Sequence, residues 1–414
     1  MTKKVIWLIA LTILAAGLVL AGFFYNANLR GVWPALRPAP ADITEFFPPA
    51  TSTDSLAAPA GGQTDAGPLK LPAGFKISIL AKDLPGARVI IFDAAGNMWL
   101  SQTRLGQVAK LTLAAGRVAE QKTVFSGLKN PHGLAFDPKD NNLLFIAEEN
   151  QITKADLSRP GAPRQKIIDL PRGGNHFTRT LGFGPDGRLY VSIGSTCNVC
   201  YETDPRYAAI YSLKKDGTDF RLVAQGLRNA VFFVWRQADG KMWATNMGRD
   251  LLGDDLPPDT VNVIDTASGQ SQNFGWPVCY GKNVHDADFD KNQYIANPCA
   301  EPSVRSSRVD LPAHSAPLGL AFVPENSAWP AEYRQNLIIA FHGSWNRSTP
   351  TGYKVVRLIL DQNGELVAQK DFITGFLTAQ GALGRPVDVI FDAAGALYVS
   401  DDKAGVIYRV DFQK

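Results

Sequence analysis

Ile91–Leu100 reads IFDAAGNMWL: a short apolar run, the turn-forming stretch DAAG, and a second apolar run. The phrase returns as AFDPKDNNLLFI from Ala135, GFGPDGRLYV from Gly182, VWRQADGKMWA from Val234, AFVPENSAWP from Ala321 (resuming as NLIIAF at Asn336) and IFDAAGALYV from Ile390. Two alternating strands joined by Gly, Asp or Pro form a tight β-hairpin. The anchor aromatics Phe92, Phe136, Phe183, Trp235, Phe322 and Phe391 are 44, 47, 52, 87 and 69 residues apart. The shorter spacings equal one four-stranded propeller blade of about 40 to 50 residues, and the longer ones leave room for insertions. The fold class expected is therefore all-β, a six-bladed β-propeller over residues 69–414. Length alone suggests two or three domains, but radial repetition lets one domain grow blade by blade around a channel.

Outside the repeats, Val5 to Phe24 is free of charge and follows Lys3 and Lys4. That run is long enough to cross a bilayer and longer than the usual core of a cleaved signal. The two lysines leave the amino terminus cytoplasmic and send the rest outside. Residues 1–26 are thus expected to be a membrane anchor or signal segment, an uncleaved anchor being preferred to secretion after cleavage. The expected location is periplasmic or otherwise extracytoplasmic. Residues 27–68, rich in Pro, Ala, Ser, Thr and Gly, are expected to be a flexible linker. Net charge is +3 with mixed signs throughout, which points away from a nucleic-acid partner.

Four cysteines follow the apolar run, and in an oxidising compartment two local bridges, Cys197–Cys200 and Cys279–Cys299, are the economical pairing. A zinc site would use the same residues, but no second C-x-x-C exists. Tyr201 after Cys200 removes covalent haem attachment. Gly182, Gly184 and Gly187 spell a dinucleotide fingerprint that runs into a strand where a helix is needed, so it is a blade turn. The acidic run Asp250–Asp259 lacks the spacing of an EF-hand loop.

In a propeller, loops from several blades converge at one channel mouth. Four are loaded with functional groups: GGNHFTRTL with Asn175, His176 and Arg179; GLRN with Arg228 and Asn229; the loop Asn246–Asn262; and GRPVD with Arg385 and Asp388. Singly, such residues cap turns or bond loop carbonyls. Together at corresponding blade positions, they point to a site for an anionic ligand beside a base.

From Gly174 onward the chain resembles the pyrroloquinoline quinone (PQQ) dependent glucose/sorbosone dehydrogenases. The phrases that carry the resemblance are HFTRTLGFGPDGRLYVSIGS, GLRN, the GRD-to-PPDxxN loop, NFGWP, AHSAPLGLAF, HGSWNRS, GRPVDV and LYVSDDKAG, spread over residues 71–414. STCNVC and HGSWNRS look closer to the L-sorbosone dehydrogenase branch than to the soluble glucose dehydrogenases. The resemblance implies a six-bladed propeller that oxidises a sugar with PQQ and calcium and passes electrons to a cytochrome or quinone. It implies His176 as the base, Arg228 as the cation beside the quinone oxygens, and Asn229 next to it. Gly248 and Arg249 match the calcium-binding carbonyls, and Arg385 and Asp402 match cofactor contacts of the last blade. The family's lysine has no clean counterpart, and Arg347 or Lys354 is the substitute expected. Asn130, Pro131 and His132 stand where glucose enzymes carry Gln-Gly-Gly, Asn175 replaces Asp and Val231 replaces Gln. These departures argue against glucose itself. Six-bladed propellers also host calcium-dependent lactonases and non-catalytic binding modules, but acids gathered in one loop and arginines at the other strand ends suit an anionic cofactor better.

Overall fold

The structure is a computed structural model that describes residues 2–47 and 67–413. Each repeat forms the hairpin expected of it. The inner strand Ala87–Phe92 pairs with Met98–Gln102, Leu134–Asp137 with Asp140–Glu148, and Leu181–Phe183 with Leu189–Ile193. Phe232–Trp235 pairs with Met242–Asn246, Pro317–Phe322 with Leu337–Phe341, and Pro386–Phe391 with Leu397–Asp401. In the degenerate fifth copy, Phe322 still faces Leu337 across the ladder, and the intervening residues form a loop whose Trp329 is buried against Phe75 and Phe372. Two further strands complete each sheet, so the described residues hold six four-stranded blades, the third extended by Gln272–Asn273 running parallel to Arg221–Gln225.

Ring closure uses both ends of the domain. Phe75–Ala81 pairs antiparallel with Val406–Phe412 as the outer strand of the last blade. Residues from opposite ends of the domain then share one core: Phe75 and Ile77 pack with Phe372, Tyr408 and Val410. This closure seals an edge that would otherwise stay open.

Adjacent strands alternate in direction, so the loops between the second and third strands of a blade lie at the same end as the connections to the next blade. We call this the upper end; the hairpin turns lie at the lower end. The chain between Ile264 and Val309 is an insertion stapled by Cys279–Cys299. Both expected disulfides are present, the other being Cys197–Cys200.

Lys3–Phe24 is one apolar helix with no buried residue, about 33 Å long at 1.5 Å per residue and long enough to cross a membrane. Residues 31–47 differ from the linker expected over 27–68. The Gly31 amide donates to the Arg347 carbonyl at 2.6 Å, Lys403 Nζ donates to the Arg37 carbonyl at 2.6 Å, and Ile43 is 1% exposed within the core of the last blade. Composition hid this because a few apolar residues, Ile43 and Phe47 against Tyr408, suffice to dock a short strap. The middle of the expected linker lies outside the described residues.

Candidate active site

His176 sits on the loop entering the third blade. Its Nδ1 lies 2.8 Å from the Ser195 carbonyl and 3.0 Å from Ser195 Oγ. Donation of Nδ1–H to that carbonyl fixes the tautomer and leaves the Nε2 lone pair free. Burial, with the Arg228 charge second, lowers its pKa to about 4, so the imidazole is neutral at pH 7. Arg179, a neighbour in the motif, is structural: its guanidinium donates to the carbonyls of Pro171, His176 and Thr178 and holds the His176 loop.

Gly194 brings this base to the next blade. A Cβ there would lie 2.6 Å from the His176 Cβ and 2.5 Å from Asn229 Oδ1. Only a bare backbone allows the two side chains so close.

Arg228 is 4% exposed and multiply held. Its Nε donates to the Asn198 carbonyl at 2.8 Å and its Nη1 to the Gly248 carbonyl at 2.8 Å; its Nη2 reaches Asn198 Oδ1 and Asp250 Oδ2, both at 2.9 Å. Asn198, inside the Cys197–Cys200 loop, also accepts from the Asp250 amide at 2.7 Å. Ser195 Oγ donates to the Cys197 carbonyl at 2.8 Å. One disulfide-closed loop therefore supports both base and cation. The acidic loop is anchored beneath by Asp259, whose carboxylate accepts from the amides of Gly248 and Ala316 at 2.9 Å each. Burial pushes that carboxyl up to about 7 against those donors. Arg249 pairs with Asp286 of the insertion at 2.8 Å.

A second cluster lies on the last blade. Arg385 donates to the carbonyls of His342 (3.0 Å) and Gly343 (2.6 Å). Asp402 accepts from Arg88 at 2.7 Å and lies 2.8 Å from His342 Nε2. Burial alone would raise its carboxyl, but His342 and Arg88 hold it well below the usual carboxylate range. Burial lowers His342 to about 4, so it is the neutral partner that donates Nε2–H. His132, fully buried nearer the channel axis, has its Nδ1 3.3 Å from Thr180 Oγ1 and an Nε2 without a partner.

His176, Arg228, Asn229, Gly248 and Arg249 thus gather on the third and fourth blades, and Arg385 with Asp402 on the sixth. The two residues expected in place of the family's lysine have protein partners. Lys354 turns to the outer strand of its blade and pairs with Asp371 at 2.7 Å. Arg347 is taken up by the acidic loop, donating to the Asp254 and Ala313 carbonyls and pairing with Asp255. Asp388 is a backbone anchor, accepting from the Ile90 amide at 3.0 Å. Sequence reading missed Arg88, His342 and Asn198. Arg88 had a signal, since it stands just before the first repeat as Arg228 and Arg385 stand before the fourth and sixth. The lower end opens as a cavity of about 770 Å³ lined largely by apolar side chains such as Leu134, Phe232 and Leu320; the charged clusters lie at the upper end.

The sequence signature of the TrAA12-like family matches residues 69–413. The chain belongs to this family. It is 32% identical to an uncharacterized protein of Borreliella burgdorferi, over 84% of this chain and 91% of that one. It is 24% identical to a pyrroloquinoline quinone-dependent pyranose dehydrogenase of Coprinopsis cinerea, over 81% of this chain and 54% of that enzyme's length. Among solved structures, the holo form of the pyranose dehydrogenase PQQ domain from Coprinopsis cinerea superposes with a TM-score of 0.70 at 22% identity, covering 85% of this chain and 98% of that domain. A calcium structure of a Trichoderma reesei enzyme of carbohydrate-active family AA12 gives 0.69 at 22%, covering 83% and 96%. At these identities the structural likeness speaks for the propeller fold.

Proposed function

We propose that this family member is a sugar dehydrogenase that uses PQQ and calcium to oxidise an aldose or a sorbosone-like sugar aldehyde to the lactone or acid. The observation that carries the reading is a neutral imidazole of fixed tautomer placed at one channel mouth with several buried guanidiniums. The named activity of the Coprinopsis relative and the calcium structure of the Trichoderma enzyme support it.

The donor set suits a cofactor bearing several carboxylates. The buried Nε atoms of Arg88 and Arg249 have no hydrogen-bond partner among the described residues, and Arg228 and Arg385, held mainly by backbone carbonyls, bring two more positive charges to the same end. Arg228, Asn229, Arg385 and Asp402 would hold the cofactor, with Arg88 positioned by Asp402. The carbonyls of Gly248 and Arg249 would take calcium, a hard cation that accepts backbone oxygen. When bound, the quinone supplies a hydride-accepting carbon that calcium polarises. His176 Nε2 receives the proton of the reacting sugar hydroxyl, and the imidazolium so formed is held by its Nδ1–H bond to the Ser195 carbonyl. Arg228 disfavours that imidazolium and so favours prompt proton release, and its charge would stabilise negative charge growing on the quinone oxygens.

The apolar helix and the disulfides are consistent with an extracytoplasmic location, and we take the helix as a retained anchor. A cytochrome or quinone then accepts the electrons. The test adds PQQ and calcium to the purified propeller and follows the absorption spectrum and dye reduction with an aldose panel. His176→Ala and Arg228→Ala should each lower turnover by about 100-fold or more, less than additively because they serve one step. Wild-type turnover in His176→Ala would return that residue to a structural role.

A further inference from the structure

We infer that the upper face of the propeller, the face that carries the site, is apposed to the surface of the lipid bilayer that holds the N-terminal helix. This rests on the reading of Lys3–Phe24 as a retained anchor, and two independent observations carry it.

The first is the length of chain between helix and propeller. The helix ends at Phe24 and continues as the helical turn Tyr25–Leu29. Arg30 Nε then donates to the Ser348 carbonyl and the Gly31 amide to the Arg347 carbonyl. Seven helical residues span about 10 Å, and even a fully extended chain would span roughly 25 Å. The strap stays on this face, passing Lys403 at Arg37 and Gly381 at Pro40. Arg347 and Lys403 lie in loops between second and third strands, and Gly381 precedes the inner strand of the last blade, so all three are at the upper end. Arg347 adjoins Asn346, whose Nδ2 donates to Asp250 Oδ1 at 2.9 Å, and Asp250 pairs with Arg228. The anchor therefore attaches beside the site's own rim.

The second is where the exposed apolar side chains lie. Leu105, Phe177, Tyr201, Leu251, Leu256 and Trp345 are all exposed, and every one stands on an upper-end loop. The strap adds Trp33 and Leu36. At the lower end, the exposed large apolar residues on the blade loops described are Leu366 and Val367; the insertion, which reaches the upper loops through Phe289 against Tyr201 and Asp286 against Arg249, exposes Val284, Tyr294 and Ile295 as well. An exposed apolar patch on one face marks an interaction surface, and Trp and Tyr beside aliphatic side chains suit the headgroup region of a bilayer.

The test uses the full chain in phosphatidylcholine vesicles that include lipid with a nitroxide on the headgroup. Single cysteines replace Trp345 or Leu105 on the upper face, or Val367 below, and carry an environment-sensitive fluorophore; the four native cysteines are bridged. The labels at 345 and 105 should lose most of their emission to the lipid quencher and the label at 367 little. A chain that floats with the vesicles but is quenched equally or more at 367 overturns the inference while the anchor stands. A chain that does not float overturns the anchor reading and the inference with it. Shielding of 345 and 105 in a detergent-solubilised dimer without lipid quenching would assign the face to a second copy and also overturn the inference.

Discussion

Replacement of Gly194 by alanine should damage catalysis far more than stability. A methyl group there would lie 2.6 Å from the His176 Cβ and 2.5 Å from Asn229 Oδ1. Ordinary carbon contacts need about 3.5 to 4.0 Å, so base and neighbour must part by roughly 1 Å. The backbone at Gly194 is not left-handed, so the cost is crowding alone, about 1 to 3 kcal/mol. His176 cannot retreat freely because its Nδ1 is tied to Ser195, the residue after the substitution. The displacement therefore passes to the ring and swings Nε2. A misplacement of about 1 Å at a reacting group costs on the order of 100-fold in rate. The assay is steady-state dye reduction by the PQQ-loaded propeller with sugar, together with thermal unfolding. Gly187→Ala is the control: it lies in the hairpin turn of the same blade at φ +75° with nothing within 4 Å of the added carbon. Its backbone strain should cost about 1 to 2 kcal/mol and leave turnover alone. Wild-type turnover in Gly194→Ala would refute the placement of His176 as the base.

Because burial and Arg228 hold the His176 pKa at about 4, kcat/KM should stay flat from neutral pH downward and fall only as pH passes through that value, where the base protonates; a limb near 6.5 would mean a solvated imidazole. Arg228→Met removes the second of those causes and should move the limb upward in the residual activity. Asn198→Ala removes acceptors from Arg228 and the Asp250 amide, so thermal unfolding should show a loss of about 2 to 3 kcal/mol, with turnover reduced about tenfold as Arg228 loosens. Ile43→Ala should lower the denaturant stability of the full chain by about 2 to 4 kcal/mol if the strap is docked as described, and unchanged stability would restore the free linker.

The six hairpins were legible because a hairpin is a local object: alternation with period two and a Gly, Asp or Pro turn lie within about ten residues of each other. The disulfide pairs were legible because each links cysteines that are consecutive among the four, 3 and 20 residues apart. His176, Arg228 and Arg385 could be suspected because they occupy matching places before their repeats.

Tertiary structure decided what those residues touch. Arg88 and Asp402 meet because the first and last blades close against one another, and the strand Phe75–Ala81 completes a sheet begun near the other end of the domain. Lys354 sits only seven residues beyond Arg347, yet strand geometry sends it to Asp371 on the blade's outer edge. Asn198, between two cysteines, carries no local signal; folding sets its Oδ1 against Arg228. A strand's pattern says which face of its own sheet is buried; which loops then share a mouth depends on strand directions and ring closure, and these depend on hydrogen bonds between segments that no local pattern relates.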